Sequence, residues 1–150
     1  MLIDRRWIED HIPHAGKMCL LDEVLEWDAS RIRCRGSSHR NADNPLRSHG
    51  RLGAACGIEY AAQSMAIHGA LIATAEHGRT PVGYLASVRG VTLFAKHLDD
   101  VQADLIAAAE RITSDSATVL YEFSVAAADR VLLAGRATIV FDIARQISTP

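Results

Sequence analysis

The run from Ala54 to Ala75 constrains this chain more than any other stretch. Its residues include Ala54, Ala55, Cys56, Ile58, Ala61, Ala62, Met65, Ala66, Ile67, Ala70, Leu71 and Ile72. Apolar side chains fall nearly all the way round a helix of this length, the mark of a helix enclosed by other elements. Glu59, Gln63 and His68 interrupt it. Glu59 and Gln63 are four apart, so they share one face, one turn from each other. An ionised carboxylate is costly to bury without partners. Glu59 is therefore either the charged end of a compensated network, with Arg89 of a neighbouring strand as the candidate partner, or a group kept for proton chemistry.

The rest of the chain decides what encloses the helix. The helix is predicted over about 55–77, with Gly78 in the C′ position that glycine favours. Before it, Trp7 to His11 reads as a short helix, and Ile12-Pro13-His14-Ala15-Gly16 as a loop. Cys19 to Trp27 reads as a strand. Arg31-Ile32-Arg33-Cys34-Arg35 alternates, which puts Ile32 and Cys34 on one face and three arginines on the other. Asp28, Ala29 and Ser30 join the two as a hairpin. Gly36 to Gly53 is a polar loop. After Pro81 the period becomes two. Strands follow: one around Tyr84 to Thr92, then Val101 to Ile112, Ala117 to Ala127 and Val131 to Ile143. Short turns imply antiparallel pairing. The predicted class is α+β: one domain, 1–150, in which an antiparallel sheet of about six strands wraps around one long central helix.

With 150 residues, 49% of them apolar and 23% charged, the chain can bury a sizeable core. A net charge of −2 and only 5% aromatic residues disfavour nucleic-acid binding. Cys19, Cys34 and Cys56 are odd in number and widely spaced, which disfavours metal ribbons and a disulfide framework. Free thiols and a charged N-terminus without an apolar core segment point to a cytoplasmic protein without a signal peptide. The apolar run, broken by Glu59, Gln63 and His68, is a poor membrane span. The histidines show no metal-ligand spacing, so no metal is expected. His14 after Pro13 reads as a loop-positioning residue and His68 as a satisfied core histidine. Arg31, Arg33 and Arg35 read as a solvated strand face, or as part of a patch for an acidic carrier protein.

Strand, strand, long helix, four strands is the element order of the hot-dog fold. Ile12-Pro13-His14 and Leu20-Leu21-Asp22-Glu23-Val24 resemble the opening of the 3-hydroxyacyl-[acyl-carrier-protein] dehydratases. Glu59-Tyr60-Ala61-Ala62-Gln63 resembles the Glu-x-x-x-Gln of their central helix. Gly57 to Gln63 and Gly83 to Arg89 are similar to a branch of dehydratases found with aryl-polyene and polyketide pathways. The likeness runs from about Ile12 to Phe141. It implies dehydration of a 3-hydroxyacyl thioester, on acyl carrier protein or coenzyme A, to the trans-2-enoyl thioester, with no cofactor. It also implies a homodimer, or a heterodimer with a related subunit, with sites between subunits.

On that resemblance Glu59 is the acid and a loop histidine the base, the two coming from different subunits of a dimer. The loop offers His49, in Arg47-Ser48-His49-Gly50, with His39 earlier. His49 lies 10 residues before Glu59 (59 − 49), closer than in the family, and Gly53-Ala54 stands where the family has Pro-Gly. Histidine titrates in the range a base for the C2 proton needs. Burial on an apolar helix would keep the Glu59 carboxyl protonated, ready to protonate a departing hydroxyl. Gln63 and Arg89 would support Glu59. The N–H groups of Gly53, Ala54 and Ala55 at the helix start would face the thioester oxygen. Two other functions fit the same fold: an acyl thioesterase that activates water with the helix carboxylate, and a non-catalytic subunit that stabilises an active partner.

Overall fold

The computed structural model describes residues 3–76 and 83–141. Asp4 caps a short helix α1 (Arg5–His11) by accepting the Trp7 N–H. Strands β1 (Glu23–Trp27) and β2 (Arg31–Gly36) form a hairpin, and the helix α2 (Gly57–Ala75) follows. Four strands follow among the described residues: β3 (Gly83–Leu93), β4 (Leu105–Ser114), β5 (Thr118–Ala127) and β6 (Arg130–Phe141). They make one antiparallel sheet in the order β1-β2-β4-β5-β6-β3. The predicted six strands and central helix are all present, and the fold is the hot-dog fold.

Helix α2 packs on the middle of the sheet, against β2, β4 and β5. Its buried residues, among them Tyr60, Met65, Ile67 and Leu71, meet Ile32, Cys34, Ala107, Tyr121 and Val125 of the sheet in one core cluster. Strands β2 and β5 alternate as their period predicts: Ile32 and Cys34 point inward, as do Val119, Tyr121, Phe123 and Val125. Burial drives the Cys34 thiol up to about 12, so it is an inert packing group. Among the described residues the cysteines are unpaired, and no cluster of metal-ligating side chains forms. No described helix is long and apolar enough to cross a membrane.

Three element starts fall two or more residues later than expected. Helix α2 begins at Gly57, behind a 3₁₀ turn over Ala54–Cys56, rather than at 55. A Cβ on Gly57 would lie 2.5 Å from Leu133 Cδ2, so glycine lets the helix start press onto β6. The predicted helix end at His77, with Gly78 as its cap, lies outside the described residues, as does the β6 extension to Ile143. Strand β1 starts at Glu23, not Cys19, because the Leu20 main chain bonds to side chains instead of a neighbouring strand. Strand β4 starts at Leu105, not Val101. The carbonyls of Val101 and Ala103 face His39 Nε2, and that of Gln102 accepts from Arg40. In each case a side chain outcompetes the ladder for main-chain groups.

Candidate functional site

Glu59 lies in the first turn of α2, where the helix dipole favours negative charge. Its Oε1 is 3.3 Å from His14 Nε2 and accepts a 3.4 Å hydrogen bond from Gln63 Nε2. The carboxylate is not buried as the apolar run suggested: its side chain is 36% exposed, against 27% for His14. The carboxylate is therefore partly open to solvent, so the reacting group can meet a substrate.

His14 reaches this place because Pro13 cannot continue α1 and holds the preceding residue extended. The chain then turns back over Gly16, whose φ is +60°, into the 3₁₀ turn Gly16–Met18. Arg5 Nη2 ties that turn to α1 by donating to the Gly16 carbonyl. His14 Nδ1 is buried with no partner. With Nε2 directed at Glu59, the ring has one nitrogen engaged and one unengaged.

Gln63 is almost wholly buried, and its amide is fully used. Oε1 accepts from the Leu20 N–H at 2.9 Å; Nε2 donates to the Met18 carbonyl at 2.8 Å as well as to Glu59. The two main-chain partners fix which way the amide faces, so its N–H points at the carboxylate.

His49 stands apart from this group. It is exposed at the tip of a tight reverse turn in which Ser48 and Arg51 exchange main-chain hydrogen bonds. His49 and Gly50 carry φ of +53° and +76°, the signature of a type I′ turn. Among the described residues it makes no hydrogen bond or ion pair to Glu59. His39, the other loop histidine, is wholly buried, and burial pushes it below its ordinary range. Arg89 is exposed on β3 opposite Arg136, on an edge strand that α2 does not pack against, and forms no ion pair with Glu59. At the helix start, the Ala54 N–H is already donated to the Lys96 carbonyl. Ala55 is exposed, and its N–H has no acceptor among the described residues.

His68 is a satisfied core histidine: Nδ1 lies 2.8 Å from Tyr121 Oη and Nε2 lies 2.7 Å from the Asp28 carbonyl. The arginines of β2 pair with acids, Arg31 with Asp28, Arg33 with Glu26, and Arg35 with Glu23, Asp22 and Asp104. They are not an open cationic patch for a carrier protein. A cavity of about 260 Å³ lies against the Gly16–Met18 turn, lined by Arg5, Lys17, Cys19, Ser38, Asp43 and Asn44 among others. Neither Glu59 nor His14 lines it, so the reacting groups lie outside.

The model of the ApeP dehydratase family matches residues 6–146. The chain belongs to the ApeP-like dehydratases. No curated protein matches it in sequence. Among solved structures it is similar to the dehydratase heterocomplex ApeI:P from Xenorhabdus doucetiae. That match has a TM-score of 0.81 at 18% identity and covers 95% of this chain and 97% of that one. A thioesterase-like protein from a Silicibacter species follows at TM-score 0.63 and 14% identity, covering 93% and 92%. AziG of S. sahachiroi matches at 0.60 and 15%, covering 79% and 89%. At these identities the structures share the fold. The family match across nearly the whole chain is what makes this a hot-dog protein of a dehydratase family.

Of the residues singled out in sequence, the structure brings Glu59 and Gln63 together. It adds His14, read there only as a loop residue. The signal for His14 was present in two motifs, Ile-Pro-His and Glu-x-x-x-Gln, which the resemblance quotes separately and the fold places side by side.

Proposed function

We propose that this chain dehydrates a 3-hydroxyacyl thioester, with Glu59 and His14 as the acid–base pair. The observation that carries the reading is the 3.3 Å approach of His14 Nε2 to Glu59 Oε1, with Gln63 holding the same oxygen. Between them the pair needs one proton. In the reactive arrangement the proton shared across the 3.3 Å gap sits on Glu59 and leaves the imidazole neutral, and His14 takes the proton from C2. The C2–C3 double bond forms as the C3–O bond breaks. Glu59 gives its proton to the departing hydroxyl, which leaves as water. Turnover leaves an imidazolium beside a carboxylate. Proton transfer across the short gap restores both groups without solvent, so neither needs a cofactor. As C2 is deprotonated, the thioester oxygen gains charge. The Ala55 N–H at the head of α2 is available to stabilise it, whereas that of Ala54 is committed to Lys96. His49, at an exposed turn, would act only by reaching the site of a partner subunit.

The substrate class, an acyl chain on carrier protein or coenzyme A in aryl-polyene or polyketide-type synthesis, follows from the family. Assembly with a second hot-dog subunit is supported by the related X. doucetiae structure, which is a dehydratase heterocomplex. The surface supports assembly. Strand β3 is one of the sheet's two edges, 11 residues long and without a further strand beside it among the described residues, and it carries exposed Tyr84, Leu85 and Leu93, with Phe94 just beyond. A long apolar edge of this kind is stable when another strand pairs with it.

Mass spectrometry of a 3-hydroxyacyl carrier protein tests the reaction. Wild type should remove the mass of one water and Glu59→Gln should not. Release of the free acid by wild type would mean hydrolysis and would sink the proposal.

A further inference from the structure

Next to the site lies a buried polar chain that the proposed reaction does not use. Tyr60, one residue after Glu59, is wholly buried, yet its hydroxyl lies 2.7 Å from Ser38 Oγ and 3.0 Å from Asn44 Nδ2. Ser38 Oγ in turn lies 2.8 Å from the Leu20 carbonyl. Donor counting gives this chain one direction. An amide nitrogen only donates, so Asn44 donates to Tyr60. A carbonyl only accepts, so the one Ser38 proton goes to Leu20. Tyr60 must then donate to Ser38. Asn44 is itself anchored, giving its second proton to the Ser38 carbonyl and accepting from the Leu46 N–H.

The chain continues through the Leu20 main chain. The Leu20 N–H is the group that orients the Gln63 amide, and Gln63 donates to Glu59. Leu20 lies outside the strand ladder, between the Gly16–Met18 turn and β1. Both of its main-chain polar groups are held by side chains, Gln63 on one side and Ser38 on the other. Gly36 leaves room beside that carbonyl, since a Cβ there would sit 3.0 Å from Leu20 O. If the Ser38 bond is removed, the segment can drift. Gln63 then loses the reference that aims its N–H at the carboxylate.

We propose that Ser38 and Tyr60 are positioning residues for the Glu59–His14 pair, acting on Gln63 through the Leu20 main chain. The catalytic part of this rests on the dehydratase reading above; the mechanical part does not. Ser38→Ala removes the hydroxyl with little change of volume. Tyr60→Phe cuts the same chain one link earlier and serves if Ser38→Ala does not fold.

Two readouts separate the parts. The first needs no activity: hydrogen exchange of the Leu20 amide by NMR, referred to the amides of β5. In Ser38→Ala the Leu20 amide should exchange about tenfold faster while β5 keeps its protection. Equal acceleration at both places, or none at Leu20, overturns the proposal in favour of a structural network. The second is kinetic: kcat should fall about tenfold with KM within about twofold. The double variant Ser38→Ala/Gln63→Ala should lose no more than Gln63→Ala alone, because both act on one contact. Multiplying losses would contradict the relay. If wild type dehydrates nothing, the function fails while the Leu20 exchange still decides the positioning.

Discussion

Glu59 carries two demands at once, and its surroundings show how they are met. Its position in the first turn of α2 favours charge, while Gln63 and His14 both touch the same oxygen, Oε1. Because its side chain is part-exposed, Glu59→Gln should leave stability within about 0.5 kcal/mol, as measured by urea unfolding. The same change should abolish dehydration, so activity and stability come apart at this residue. The helix pattern made Glu59 and Gln63 visible as one face, since periodicity reports neighbours within an element. It could not place His14, which reaches α2 across 45 residues of chain (59 − 14) by way of a proline and a left-handed glycine. His49 was conspicuous in sequence for its loop setting, but the His-Gly pair there builds a turn. Exposure at the end of that turn is a matter of tertiary placement, which spacing does not carry.

Among the elements, α2 and the alternating strands β2 and β5 were legible because burial on one side writes a period into the sequence. Strand β3 was less so. Its pairing with β6 shifts register between Leu85 and Ser87 and again between Arg89 and Thr92, so the two-residue alternation is broken and several of its apolar residues face outward. The starts of β1 and β4 were misplaced because Gln63, Ser38, His39 and Arg40 take main-chain groups that a strand would otherwise pair. Gly57 brings the start of α2 close to β6. In Gly57→Ala the new methyl meets Leu133, a wholly buried side chain with little room to swing away. A loss of about 1–3 kcal/mol in denaturant unfolding is expected. An unchanged midpoint would mean that the helix start is not pressed onto β6.

At the scale of the whole molecule, two buried histidines contribute to the loss of stability on the acid side. His39 and His68 are both held below the ordinary histidine value of 6.5, chiefly because burial disfavours the charged ring. The unfolded chain therefore binds protons that the folded chain refuses. Their contribution is fully present above 6.5 and drains away as the pH falls below it towards the lowered folded values. The melting temperature should drop between neutral and mildly acidic pH, and His68→Gln should flatten that slope. The β3 edge makes a second prediction at this scale. Leu85→Lys together with Leu93→Lys should shift sedimentation towards the monomer, while an unchanged mass would place the subunit contact elsewhere. The reaction is where site and assembly meet, and one comparison tests the account most directly: single-turnover dehydration of a 3-hydroxyacyl carrier protein by the assembled protein carrying His14→Ala or His49→Ala. The account predicts that His14→Ala slows the reaction by about 10²–10⁴-fold while His49→Ala stays within about twofold of wild type. The reverse ranking, with His49→Ala inactive and His14→Ala unimpaired, would contradict it.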